Sequence, residues 1–140
     1  MTGKKFFVHP VGIIKKIENE TFIEIFPEYK DALLNLEYYS HIIVIFWFDK
    51  NDTPEKRNIL QVHPKRHKGA PISGVFATCS PVRPNLIGLT ICKVKHIDKN
   101  LIKIKEIDAF DNTPVLDIKP YIPKKHMLCE EEIKVPEWMK

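Results

Sequence analysis

The sequence predicts a mainly β fold: a small, mostly antiparallel barrel of six to seven strands with one short helix. Three observations point there. The segments between turns are short and rich in isoleucine, valine and aromatic residues, which fit a pleated surface. Eleven prolines against five glycines give stiff, brief connections. No strand–helix alternation runs along the chain, which excludes a doubly wound parallel sheet.

Val8 to Ile17 reads as a first strand, with Pro10 at an edge or bulge because proline cannot donate to a ladder. Thr21 to Phe26 alternates, placing Ile23 and Ile25 on one side and Phe22, Glu24 and Phe26 on the other. Pro27 suits the first position of a helix, and Tyr29, Leu33 and Leu36 form a single apolar stripe, so two helical turns are predicted. His41 to Phe48 is apolar on both faces, the mark of a strand buried on both sides. Two polar loops follow, NDTPEKRN and VHPKRHKGAPIS, and Gly74 to Thr78 reads as a short strand ending in CSPVRPN. Asn85 to Ile97 and Leu101 to Ile107 face each other across the three-residue connection DKN. Both arms change phase midway, which predicts β-bulges. A final extended stretch, Pro114 to Pro123, follows a turn at Asp111-Asn112.

The chain has 140 residues, enough for one domain with a real core, and one domain over residues 1 to 140 is expected. Apolar residues make up 44% and charged residues 29%, a balance that excludes a disordered chain. The longest apolar run, Ile42 to Phe48, is too short to cross a bilayer, and the N-terminal residues carry no apolar signal core. Three cysteines, Cys79, Cys92 and Cys129, form no CxxC pair, so reduced thiols and a cytoplasmic location are expected. The net charge of +4 permits a nucleic-acid partner without demanding one. Only three of the 22 basic residues are arginines: Arg57, Arg66 and Arg83.

Two loops draw attention. In residues 74 to 88, Arg83-Pro84-Asn85 sets a planar five-donor cation beside a rigid proline and an amide. Arg83 has two readings there: a grip on a phosphate, carboxylate or base edge, or a structural hydrogen bond within a proline-stiffened turn. In residues 107 to 121, Asp111 before Asn112 is ordinary turn chemistry, and Asp117 and Lys119 share a strand face and can pair. Asp108 ends an apolar strand, where a buried carboxylate would need a partner such as a cationic ligand. The histidines make no metal site, since His63 and His67 are separated by Pro64 and the rest are scattered. Lys93, Lys95, Lys103 and Lys105, with Lys99 at the tip, line the hairpin as a solvated face or as a surface for nucleic acid.

These loops resemble a known family. GVFATCSPVRPNLIGLT is similar to the GVFATRSPxRPNPIGLS signature of the TsaA/TrmO-like family, also catalogued as uncharacterised protein family 66. DNTPVLDIKPYIP resembles its DGTPVLDIKPYxP, HPVGIIKK its opening PIGxI strand, and LEYYSHIIVIFWFDK its LxxFSHxxVLFWFxK stretch. The resemblance runs from residue 8 to about 123 and leaves residues 124 to 140 as a tail. It implies a small β-barrel, usually a homodimer, that binds S-adenosylmethionine and methylates N6 of the threonylcarbamoyladenosine beside the tRNA anticodon. By matching position, the cofactor contacts it implies are Asp49, Lys50, Cys79, Leu89, Ile107 and Asp108. Arg83 and Asn85 fall on its RPN and would hold tRNA or order the site. Asp111 is then the expected proton acceptor, since neither motif contains a histidine. Three departures accompany it: Cys79 stands where the signature has arginine, Lys16 runs almost directly into the next strand without the family's intervening loop, and no tRNA-binding extension is expected after Lys140. A protein that kept the barrel and binds S-adenosylmethionine or RNA without efficient methyl transfer is the alternative those departures imply.

Overall fold

Inward-pointing isoleucines at every second position turn six of the predicted segments into one closed barrel. The computed structural model describes residues 3 to 140. Its barrel strands are β1 (Gly12–Ile17), β2 (Glu20–Ile25), β3 (His41–Trp47), β6 (Ile87–Asp98), β7 (Leu101–Ile104) and β8 (Pro114–Pro120). Around the barrel the order is β1-β2-β7-β6-β3-β8, and β8 closes onto β1 through Gly12↔Val115 and Ile13↔Pro114. The short strands β4 (Gln61–Val62) and β5 (Ser73–Gly74) pair separately as a two-stranded ribbon.

The chain packs as two compact units: Met1–Trp47 with Leu89–Tyr121, and Phe48–Gly88 with Ile122–Lys140. In the first unit Ile14, Ile23, Ile42, Val44, Ile102 and Val115 are at most 1% exposed and fill the barrel. Each such side chain contributes about 1.5–3 kcal/mol by leaving water. Thr21, Ile23 and Ile25 point inward as the alternation requires, and β3 buries Ile43 as well as Ile42, Val44 and Phe46. In the second unit Val75 and Leu86 are the buried apolar residues.

Several boundaries differ from the sequence expectation, each for a local reason. The first strand begins at Gly12, after the exposed residues 3 to 10, since Pro10 has no N–H to give a ladder. Pro27–Leu33 and Leu36–Tyr38 are 3₁₀ helices rather than one α-helix; Asn35, in the left-handed region at φ 71°, separates them, and neither buries a residue. The loop NDTPEKRN contains the one-turn helix α1 (Pro54–Arg57), capped by the Thr53 hydroxyl accepting from the Lys56 N–H. A second one-turn helix, α2 (Pro123–His126), follows β8. Of the expected strand Gly74 to Thr78, only Gly74 pairs as a strand, together with Ser73, and Val75–Ala77 is a 3₁₀ turn. The hairpin connection is two residues, since Asp98 pairs with Leu101 and Lys99 takes φ 55°. The bulge is confined to β6, where Lys95 is the extra residue between Val94↔Ile104 and His96↔Lys103. A second lies on β8 at Leu116, between Ile45↔Asp117 and Phe46↔Val115.

β1 passes to β2 through Glu18 and Asn19, both at positive φ (47° and 66°), a two-residue hairpin turn. Asp117 and Lys119 pair at 3.1 Å as expected. Between β7 and β2, Lys103 Nζ reaches Glu20 at 2.6 Å, and that hydrogen bond, with the charges of Lys103 and Lys95, holds the Glu20 carboxyl below its ordinary range. Cys92, 2% exposed, has its thiol pushed up to about 11 from an ordinary 9.0 by burial. Between those values the unfolded thiol ionises first, so the unfolded state binds fewer protons and stability falls as pH rises. The loss should reach about 2–3 kcal/mol near pH 11, and a Cys92→Ala variant should lack that part of the alkaline slope in denaturant titrations. Thiol reagents at neutral pH should label Cys79 and Cys129, which are exposed, and spare Cys92.

Candidate functional site

The loop between β5 and β6 carries the most chemistry and has little regular structure to hold it. Arg83 supplies the hold. Its Nη1 donates to the carbonyls of Thr78 and Ser80, both at 3.1 Å, and its Nη2 donates to the Val75 carbonyl at 3.1 Å. The guanidinium thus ties three carbonyls of one loop through two nitrogens held in a fixed fork, which the single ammonium nitrogen of lysine could not reproduce. These are the hydrogen bonds that the structural reading of Arg83 requires. Ser and Thr hydroxyls finish the loop: Thr78 Oγ1 donates to Val75 O at 3.0 Å and accepts from the Ser80 N–H at 3.2 Å, and Ser80 Oγ accepts from the Val82 N–H at 3.2 Å.

A second arginine holds the far end of the loop, and sequence reasoning missed it. Arg57, on α1, donates from Nε to the Pro84 carbonyl at 2.9 Å and from Nη1 to Asp52 at 3.3 Å. The only sequence signal was the scarcity of arginine beside abundant lysine. The segment after β3 also reaches the loop: the Phe48 N–H donates to Leu86 O at 2.8 Å, and Asn51 Nδ2 donates to Pro81 O at 3.4 Å. The 3₁₀ turn Asp49–Asn51 is thereby fixed beside residues 79 to 86. Within this unit Asp49, Lys50, Cys79 and Asn85 are exposed around the ordered loop, with Arg83 half-buried beneath.

The other sequence-predicted positions lie on the barrel unit. Leu89 points outward from β6 and is 61% exposed. Ile107 is buried, and its carbonyl accepts from Lys16 Nζ at 3.3 Å. Asp108 corrects the expectation of a buried carboxylate: Ile107 takes the inward position and Asp108 is exposed. Asp111 is hooked to β1, with Oδ1 accepting from the Lys16 N–H at 2.8 Å and Oδ2 from Asn112 Nδ2 at 3.4 Å. Asn112, at φ 69°, donates its N–H to Ile14 O at 2.7 Å and accepts from Lys15 Nζ at 2.7 Å. Among the described residues no cluster of three or more His, Cys, Asp or Glu could hold a metal ion, and no helix is long and apolar enough to cross a membrane.

Comparison with known proteins places these features in context. The family model described as the tRNA-methyltransferase O N-terminal domain matches residues 9–126. A protein of Methanocaldococcus jannaschii named as a probable S-adenosyl-L-methionine-binding protein is 44% identical over 119 residues, covering 85% of this chain and 94% of that one. A protein of the same name from Pyrococcus horikoshii is 48% identical, with 85% of each chain covered. A tRNA (adenine(37)-N6)-methyltransferase of Mus musculus is 43% identical over 98 residues, 70% of this chain and 22% of that protein. A crystal structure of TrmO superposes with a TM-score of 0.71 at 28% identity over 91% of this chain and 62% of the other, so this chain spans less than two-thirds of the solved one.

Proposed function

The chain belongs to the tRNA-methyltransferase O N-terminal domain family, and from that premise we propose that it is an S-adenosylmethionine-dependent methyltransferase acting on N6 of threonylcarbamoyladenosine next to the tRNA anticodon. The observation that carries the reading is the match over residues 9–126, which takes in the whole arginine-tied loop. S-adenosylmethionine supplies an electrophilic methyl on a cationic sulfur, and the exposed carboxylates of Asp49 and Asp108 are of the right sign for such a ligand. The further cofactor contacts fall to Lys50, Cys79, Leu89 and Ile107 by family position. Rate is gained mainly by holding the nucleophile and the methyl donor in line.

Asp111 is the proposed proton acceptor for the carbamoylated nitrogen, and it already accepts two hydrogen bonds. Asp111→Asn separates its two roles: the amide oxygen still accepts from the Lys16 N–H, while basicity is lost. Methyl transfer should fall by about 10²–10⁴-fold with the melting temperature unchanged. An unaltered rate would leave Asp111 as a turn residue only.

The experiment that tests the proposal is incubation with isolated tRNA and S-adenosylmethionine, followed by nucleoside mass spectrometry. One added methyl on threonylcarbamoyladenosine supports it, and an unchanged nucleoside profile under conditions of demonstrated cofactor binding overturns it. Cys79, where the signature has arginine, favours a second reading: a barrel that binds S-adenosylmethionine or RNA without efficient methyl transfer. Calorimetric titration with S-adenosylmethionine and tRNA, showing heat from either but no transfer, would select that reading. The same proposal expects a cytoplasmic homodimer, read by sedimentation equilibrium.

A further inference from the structure

A cavity of about 380 Å³ opens on the barrel unit where the 3₁₀ segment before β3 meets the bulge of β6. Its walls include Glu37, Tyr38, Tyr39, Ser40, Lys95 and His96. The walls are tied together by the Val94 N–H donating to Ser40 O at 2.8 Å and the Tyr39 N–H donating to Leu36 O at 3.0 Å. The Ser40 hydroxyl is engaged by His41 Nδ1 at 2.8 Å.

Three features of this place call for a ligand of one kind. Tyr38 is 80% exposed and Tyr39 39% exposed, so two aromatic rings stand at a cavity mouth instead of in the core, where such rings are normally placed. The bulge turns Lys95 and His96, consecutive residues, both to the surface, which a regular strand would not do. Lys93, Lys99 and Lys105 are exposed on the same hairpin, and the Lys105 N–H donates to Lys93 O at 3.0 Å, so the two strands present their lysines side by side. Aromatic faces for flat rings next to a row of cations for a charged backbone is the arrangement that binds unpaired nucleotides. A paired helix would hide its base faces from the tyrosines. Glu37 is the one carboxylate in the wall; it repels phosphate but accepts from the exocyclic amine of a base.

We propose that this cavity is a stacking pocket for an unpaired RNA nucleotide, with Tyr38 as the ring that takes the base and Lys95 as the contact to its phosphate. It deepens the reading above, on which it rests, by adding a subsite for the RNA on the barrel unit. The pocket selects single-stranded over duplex RNA, and the lysine row sets the dependence on salt.

The test uses a single-stranded oligoadenylate and a fully paired RNA duplex as ligands. Tyr38→Ala, at an exposed position, should lower affinity for the single strand by roughly 5- to 100-fold and leave the duplex unaffected, and Tyr38→Trp should restore it. Lys95→Ala should weaken both and flatten the slope of log affinity against log salt by about 1. Single-strand affinity unchanged in Tyr38→Ala would overturn the pocket. Wild-type protein that binds neither RNA would overturn both the pocket and the RNA-directed function. Tyr38-dependent binding without any methyl transfer to tRNA would support the pocket and count against the enzyme alone.

Discussion

Arg83→Ala should reduce methyl transfer by at least about 100-fold while the barrel core stays folded. The expectation follows from where its donors go: the carbonyls of Val75, Thr78 and Ser80 lose the guanidinium together, although Val75 O keeps the N–H and Oγ1 of Thr78 as donors. Each charge-assisted bond of this kind is worth about 1.5–3 kcal/mol, with no simple sum for three on one group. None of these carbonyls belongs to the residues that fill the barrel, so the cost falls on the order of residues 75 to 85. Amide hydrogen exchange should accelerate there and stay slow at Ile23, Val44 and Ile102. Arg83→Lys should not rescue, since one ammonium nitrogen cannot stand where both Nη1 and Nη2 do. The kinetic signature of lost positioning is a fall in kcat with faster loop exchange. A fall in kcat with the loop amides as protected as before would instead put the guanidinium on the substrate.

The second large effect concerns stability. A Cβ on Gly12 would sit 2.5 Å from the Glu24 carbonyl oxygen and 3.1 Å from Ile25 Cδ1. The nearer atom is backbone of the paired strand, with Gly12 opposite Ile25, so no side chain can move aside to relieve it. Gly12→Ala should therefore cost about 3 kcal/mol, the upper part of the overpacking range, and lower the melting temperature by roughly 10 °C. Differential scanning calorimetry reads it directly. A loss under 1 kcal/mol would mean that β1 and β2 separate without cost at this end.

The parts of the fold that sequence reading located are those where side-chain periodicity and burial coincide. β2 shows this with Thr21, Ile23 and Ile25 inward, and β3 with its run of apolar residues buried on both faces. Where position is decided by backbone bonding, periodicity misleads. Tyr29, Leu33 and Leu36 are spaced as a helical stripe, yet the segment is 3₁₀ and interrupted at Asn35, since nothing in it is buried deeply enough to reward a full α-turn. The bulge in β6 was legible from its phase change, but the matching one in β7 was not realised, because one extra residue on one strand suffices to bend the pair. At the candidate site the motif was visible and its mechanics were not. Arg57 acts on Pro84 from 27 residues away through a carbonyl, and a carbonyl has no residue identity to read. Asp108 misled for the opposite reason: its neighbour Ile107 is the inward residue, and a shift of one position exchanges core for solvent.

The closure of β8 onto β1 bears on how the chain is made. Gly12 and Ile13 pair with Ile25 and Glu24 of the next strand in the chain, yet their other partners are Val115 and Pro114. Until residues near 115 are made, β1 has one edge uncovered, and the half-built barrel presents its isoleucines to solvent. Such a seam between distant parts of the chain delays closure until the last barrel strand has been made. The segment Phe48–Gly88 is therefore translated before the ring whose strands precede and follow it can shut.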